Sequence, residues 1–327
     1  MRYIDPVYGT TTIRAPVILE LIRSTPLQRL KHIDQAGYGQ AFYPGQTCNR
    51  FEHSVGVYLL LRKYGASLNE QISGLIHDIS HSAFSHCADY IFRTGSEKEQ
   101  THQDNIFVQF IKKSVVPDIL HKHRLDTDYI LNKKNFPLLE TDLPDLCADR
   151  IDYSLRDAIH AHHADSQDIT NFLVHLTVIN RQWVFKTLPT ARRYAALFSL
   201  LNTVQWSSLT TAAMFMSVSE CLQYAMSKNY LSPEYLYTTD EAVMAKIKTH
   251  LPSDPELQKL FNRMSNKVPY EDNPKKTLAL TFCKSRVVDP LVRYRGKIRR
   301  LSELYPHWKN IVRKELKPKP YHIRFTR

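Results

Sequence analysis

His77 and Asp78 stand side by side in an otherwise apolar stretch, Gly74-Leu75-Ile76-His77-Asp78-Ile79-Ser80-His81. Packing does not explain such a pair, because a buried carboxylate without a partner is strongly disfavoured. A neutral imidazole beside a carboxylate suits a divalent ion of intermediate hardness. On a helix, His77 and His81 share a face, with Asp78 about 100° round from His77. The doublet is then half a coordination site, and other segments must complete it. Arg50-Phe51-Glu52-His53-Ser54 offers a His at the start of an apolar-periodic segment, and Ala148-Asp149-Arg150-Ile151-Asp152-Tyr153 offers acids at 149 and 152. A dipositive ion in such a set would bind an anionic phosphate group and lower the pKa of a coordinated water. The chemistry such a set could perform is metal-assisted hydrolysis.

The elements that must position these groups read as helices. Nine glycines in 327 residues, with long apolar stripes of period 3.6, predict a mainly α fold. Helices are expected over about 15–35, 52–66, 69–80, 84–92, 102–114, 144–161 and 190–228. Residues 190–232 contain neither Gly nor Pro, which permits one long helix there. A hairpin is expected across Asn180-Arg181, joining 174–179 to 182–186, with short strands at 11–14, 286–289 and 321–325. Pro252, Pro255, Pro269 and Pro274 mark a loop-rich zone, and no internal repeat is visible.

Taken in order, the motifs resemble the HD-domain metal-dependent phosphohydrolases and, within them, the deoxynucleoside triphosphate triphosphohydrolase branch. The likeness is carried by Ile4-Asp5-Pro6-Val7-Tyr8-Gly9, Thr25-Pro26-Leu27-Gln28-Arg29-Leu30-Lys31, Ile33-Asp34-Gln35-Ala36-Gly37 and Arg50-Phe51-Glu52-His53. It continues through His77-Asp78-Ile79-Ser80-His81-Ser82-Ala83-Phe84-Ser85-His86 and Asp149-Arg150-Ile151-Asp152-Tyr153 to Val287-Val288-Asp289-Pro290 and Lys297-Ile298-Arg299-Arg300-Leu301. With the pattern of elements, it implies a helical HD-type phosphohydrolase core over 1–230 with a few short antiparallel strands. A smaller, basic α+β appendage would follow over 231–327.

The resemblance implies His53, His77, Asp78 and Asp149 as ligands of a divalent metal ion, with Fe, Mn, Zn, Ni and Mg all compatible with the donor set. His86 and Asp89 are three apart and can face one another, so that the acid orients the imidazole. By resemblance His86 is the general acid, while His81 and His102 contact phosphate. Arg50, Arg150 and Tyr153 match positions that contact phosphates or sugar, and Gln35 and Asp157 match the pair that holds the sugar 3′-hydroxyl. The implied reaction is hydrolysis of dNTPs to deoxynucleoside and triphosphate, by a homo-oligomer (dimer or tetramer). Four positions depart from the pattern. Ala36 stands where a bulkier apolar residue is common, Gln103 follows His102 where Glu is common, and Ser24 replaces the acid that reads a guanine activator. Residues 200–211 hold no Arg or His where relatives face the phosphates with both. The last departure keeps a second reading open, a nucleotidase or phosphodiesterase acting on another nucleotide phosphoester.

The net charge of +12 is local: residues 284–327 hold 14 Lys or Arg against three acids, +11 of the total. Such a segment suits a solvated surface, a subunit contact, a phosphate-rich ligand or nucleic acid, so a third reading is a nucleotide- or nucleic-acid-binding protein. With 43% hydrophobic residues, the composition is that of a folded protein. No apolar run reaches the length of about 18 that spans a bilayer, and the five scattered cysteines form no CxxC pair. A cytoplasmic, membrane-free setting with reduced thiols is expected.

Overall fold

The computed structural model describes residues 1–45, 48–92, 95–277 and 280–326; Arg327, the last cation of the basic tail, lies outside them. The chain is mainly helical, with four small sheets among the described residues. Its axis is the helix Arg50–Lys63. Asn49 starts it through a reciprocal cap, its side chain accepting from the Glu52 N–H while Glu52 accepts from the Asn49 N–H. Most residues from Arg50 to Leu61 are buried, which explains why this helix is apolar on every side.

Helices Leu68–Ile76 and Ala148–His160 pack against it. One hydrophobic cluster takes Val57, Leu60 and Leu61, and a second takes Phe51, Val55, Tyr58 and Leu59. A third surrounds Leu209–Ser227. Gly56 sets the closest approach: a Cβ there would lie 2.1 Å from both Asp152 Oδ1 and Arg156 Nη2. Only glycine lets the Ala148–His160 helix come near enough for its acids to reach His53.

Several expected elements are interrupted. The stretch 15–35 is Pro16–Arg23, Thr25–Arg29 and a 3₁₀ turn Leu30–His32, because Ser24 is extended and Pro26, lacking an N–H, opens a new helix. The expected helix over 84–92 is a 3₁₀ segment, Ser85–Tyr90, entered through left-handed Phe84 and Ser85 (φ 58° and 48°). The stretch 190–228 is two helices, Leu188–Leu201 and Leu209–Ser227, separated by a π-turn Asn202–Trp206. Ser207 Oγ bonds the Asn202 carbonyl at 2.7 Å, and Ser208 caps the second helix through the Thr211 N–H. Local side-chain bonds therefore end a helix that no Gly or Pro would have ended.

The hairpin is present as Leu176–Ile179 and Gln182–Phe185, with Asn180 and Arg181 both at positive φ as a type I′ turn requires. It continues into a four-stranded sheet: Gln182–Phe185 runs parallel to Leu291–Tyr294, which pairs antiparallel with Lys297–Arg300. Residues 286–289, expected as a strand, lie outside any strand, in the extended run between Thr281–Cys283 and Leu291–Tyr294. Val287, Val288, Val292, Leu301 and Trp308 are buried in one cluster with Leu155 and Phe198, so residues from both sides of 230 share a core. Among the described residues, no helix is long and apolar enough to cross a membrane.

Candidate active site

The His77-Asp78 doublet lies just beyond the Leu68–Ile76 helix, where the sequence pattern predicts helix through residue 80. Residues 77–81 form a tight turn in which the Ile79 N–H bonds Ile76 O and the His81 N–H bonds Asp78 O. Side chains capture the carbonyls that a continuing helix would need: His77 Nδ1 bonds Gly74 O at 2.7 Å, and Gln103 Nε2 donates to His77 O at 2.7 Å. This turn brings His81 Nε2 to 3.4 Å from Asp78 Oδ1.

Four expected ligands converge here from three segments. His53 Nε2 lies 2.9 Å from Asp149 Oδ1 and 3.7 Å from Asp78 Oδ2. His77 Nε2 lies 3.4 Å from Asp78 Oδ1 and 3.5 Å from Asp149 Oδ1. The second nitrogen of each ring is held from behind, His77 by Gly74 O and His53 by Asp152 Oδ2 at 2.8 Å. A carbonyl or carboxylate can only accept, so Nδ1 carries the proton in both rings and Nε2 is the atom presented. His77 Nε2 is buried without a hydrogen-bond partner. With two carboxylate oxygens within 3.5 Å of it, the partner that fits is a cation. Burial opposes ionisation of Asp78, yet Arg50, His77 and His81 hold its carboxyl well below the usual range.

The support extends inward. Asp152 accepts from Arg156 at 3.0 and 2.9 Å, and Arg156 also meets Asp5 at 3.1 Å, all fully buried. The N-terminal segment thus steadies His53 through three side chains. Among the sequence motifs Asp152 was an alternative ligand. Its position behind His53 is legible only once the helix crossing is known.

Beside the quartet opens a cavity of about 700 Å³. His86 lines it, with Nδ1 3.1 Å from Asp89 Oδ2 and its ring edge-on to His81 at 5.2 Å. Burial pulls the His86 pKa down despite Asp89. His102 requires a correction, since its ring stacks on Phe92 at 4.7 Å and bonds the Tyr237 hydroxyl at 2.9 Å, outside the cavity lining. Asp89 Oδ1 accepts from the His102 N–H at 2.8 Å and fixes the helix His102–Lys112 so that Gln103, not His102, faces the cavity.

Arg50 borders the cavity but directs its nitrogens to the protein: Nη1 to Asp78 at 2.6 Å, Nε to Ser85 Oγ at 2.7 Å and Nη2 to Gln35 O at 3.1 Å. It anchors Asp78. Arg150 bonds Thr141 O at 2.7 Å and Asp145 O at 2.8 Å, and lies 3.4 Å from Glu140. Tyr153 lines the wall, edge-on to Trp206 at 5.0 Å. Asp157 accepts from Trp206 Nε1 at 2.7 Å, and burial pushes its carboxyl up to about 6 against that bond. Gln35 Oε1 is buried without a partner. The sequence motifs did not point to Trp206, Gln103, Lys133, Lys134, Lys284 or Arg286, all of which line the same cavity.

Comparison with known proteins agrees with this arrangement. The HD domain model matches residues 50–171, the span that carries the quartet. YdhJ, an uncharacterised protein of Bacillus subtilis, is 36% identical over 245 residues, which cover 75% of this chain and 74% of that protein. The metal-dependent phosphohydrolase cns2 of Cordyceps militaris is 29% identical over 314 residues, 93% of this chain and 89% of its own. The deoxynucleoside triphosphate triphosphohydrolase SAMHD1 of Danio rerio matches over a shorter span, 38% identical over 103 residues, 27% of this chain and 16% of that protein. A phosphohydrolase structure from Bacteroides thetaiotaomicron has the same fold, with a TM-score of 0.74 at 17% identity over the whole of both chains. The chain belongs to the HD-domain family of metal-dependent phosphohydrolases, whose cofactor is a divalent metal ion.

Proposed function

We propose that this phosphohydrolase acts on nucleotides, cleaving dNTPs to deoxynucleoside and triphosphate, with His53, His77, Asp78 and Asp149 holding the metal ion. The observation that carries the reading is one cavity with two kinds of lining. His77, Asp78 and Asp149 of the quartet border it together with His86, and so do Gln35, whose buried side-chain acceptor has no partner, Asp157 and Trp206. A divalent ion in the quartet would polarise a phosphoryl oxygen and acidify a water.

The side chains supply the rest. Asp89 holds His86 through Nδ1, leaving Nε2 to take a proton when an anionic phosphate enters and to deliver it to the leaving oxygen. His81, edge-on to His86 and itself in the cavity lining, offers its imidazole as a phosphate contact beside Asp78. Gln35 Oε1 is placed to accept from a sugar hydroxyl, and Asp157 to accept a second such bond beside the Trp206 indole. Tyr153 forms the wall against which a sugar would pack.

The neutral lining contributed by Gln205, Trp206 and Thr211 favours a second reading, a nucleotidase or phosphodiesterase needing fewer charge partners. Metal-loaded protein incubated with dNTPs, NTPs, nucleoside monophosphates and cyclic nucleotides separates the two. Triphosphate released from dNTPs supports the first, and turnover confined to monophosphates or cyclic nucleotides replaces it with the second. No turnover of any phosphoester would remove the nucleotide reading.

A further inference from the structure

The cavity wall made by the broken helix is neutral, yet the cavity is not short of positive charge. Lys284 and Arg286 enter from the extended run after Thr281–Cys283, and Arg150 enters from the Asp149 helix. Asn202 in the π-turn places the first two. Its Oδ1 accepts from the Arg286 N–H at 2.8 Å, while its Nδ2 donates to Ser285 Oγ at 3.0 Å and to Glu315 at 2.9 Å, with Asn202 fully buried. The stretch that lacks Arg and His therefore clasps the segment that carries cations.

The hydrogen-bond partners of both cations are uncharged. Lys284 Nζ donates to the Glu99 carbonyl at 2.7 Å, Arg286 Nη1 to the Lys284 carbonyl at 3.2 Å, and Arg286 Nη2 to the Gln100 side-chain oxygen. Among the described residues no ion pair involves Lys284 or Arg286, whereas Glu140 in the same cavity is matched to Arg150. Burial first, then Arg286 and Arg150, push the Lys284 ammonium down to about 8, against Glu140 and Glu99. Arg286 is also close enough to act on His86 and Tyr153, so the cluster stands beside the proton donor of the proposed reaction.

We propose that Lys284 and Arg286, with Arg150 beside them, bind the phosphates beyond the scissile one, so that the cavity selects nucleotides carrying a polyphosphate tail. This rests on the nucleotide-hydrolase reading and deepens it by naming the leaving group's subsite. Two cations held by backbone carbonyls and an amide keep donors free for phosphate oxygens, and the guanidinium can engage them two at a time. Segment 284–286 takes over what residues 200–211 do not provide.

The test measures binding of inorganic tripolyphosphate and orthophosphate to the full-length, metal-loaded protein by calorimetry in excess Mg²⁺. The wild type should prefer tripolyphosphate by at least about ten-fold, and Lys284→Gln/Arg286→Gln should lose most of that preference. A wild type without preference, or a double variant that melts normally and keeps it, overturns the subsite. If the double variant fails to fold, the single changes decide: Lys284→Arg should retain the preference and Lys284→Gln should reduce it, and equal behaviour of the two rejects the assignment. A hydrolase reading that fails does so in the turnover panel, with no nucleotide cleaved, while this binding preference stays measurable on its own.

Discussion

Around the metal quartet four side chains are gripped from behind: His53 by Asp152, His77 by Gly74, Asp78 by Arg50 and His86 by Asp89. Elsewhere in the lining, Trp206, Gln205 and Thr211 come from a helix break and the start of the next helix, and Lys284 and Arg286 from a strand-like run clasped by Asn202. The first wall is assembled within the HD span, the second from residues that span and its motifs do not include. The contrast teaches that the proposed metal site is contained in the HD span, whereas the lining around the proposed substrate draws on residues from outside it as well as on Arg150, Tyr153 and Asp157 within it. Changes on the first wall should strike metal and turnover, and changes on the second should strike affinity for substrate.

The largest effect is expected from Asp149→Ala, which removes the carboxylate shared by His53 and His77. Metal content and hydrolysis should both fall to background while the circular dichroism stays that of the wild type; an active, metal-replete variant would end the ligand assignment. His86→Ala should lower kcat by roughly 10²–10⁴ with metal content unchanged, since it removes a proton donor and no ligand. Loss of metal in that variant would move His86 into the first coordination sphere. Asp152→Asn is expected to weaken metal affinity by about 10–100-fold, because the His53 ring loses its orienting carboxylate. It should also lower the melting temperature, because the buried Arg156 keeps only Asp5 as an ion-pair partner.

On the second wall, Trp206→Phe deletes the donor to Asp157 and should raise KM about five- to ten-fold with little change in kcat, the energy of one ordinary net hydrogen bond, about 1 kcal/mol. A kcat effect larger than the KM effect would break the division between walls. The smallest effect concerns Asp240, whose carboxylate receives the Asp34 and Phe84 N–H groups at 2.8 Å each and so ties together the loops behind Arg50. Burial pushes its pKa up to about 8, further raised by Asp34, against those two donors. A pKa raised in the folded state means its contribution is complete below the unfolded value near 4 and lost as pH rises through 8. Thermal stability should therefore decline between about pH 4 and pH 8 and level off above, and Asp240→Asn should flatten that decline while costing about 1 kcal/mol at the acid end. Parallel pH profiles for the two proteins would exclude Asp240 as the group.

The same contrast explains what the sequence disclosed. His53, His77, Asp78 and Asp149 each sit in a contiguous motif, so residue type and order suffice to single them out. The mainly α fold and the Asn180-Arg181 hairpin were legible for a similar reason, being written in local periodicity and turn chemistry. The end of the helix before His77 was not, because it depends on Gln103 taking a carbonyl from twenty-six residues away. His102 was expected at the phosphates, but which side of its helix faces inward is decided by Asp89. The split of 190–228 rests on Ser207 and Ser208, residues common inside helices. Lys284 and Arg286 were visible only as two of fourteen charges in a basic tail.

Asn202 carries one more consequence, for the order in which the protein is made. The four expected ligands and the His86–Asp89 pair all precede residue 150, and the cations that Asn202 clasps follow roughly 130 residues later. At about 5–20 residues per second the ribosome separates the two events by roughly 6–25 s. The proposed ligands are thus synthesised well before the residues that would discriminate among phosphates, and the helix that carries Asp149, like the buried amide of Asn202, gains its full packing only when the segment from Ser285 to Glu315 has been made.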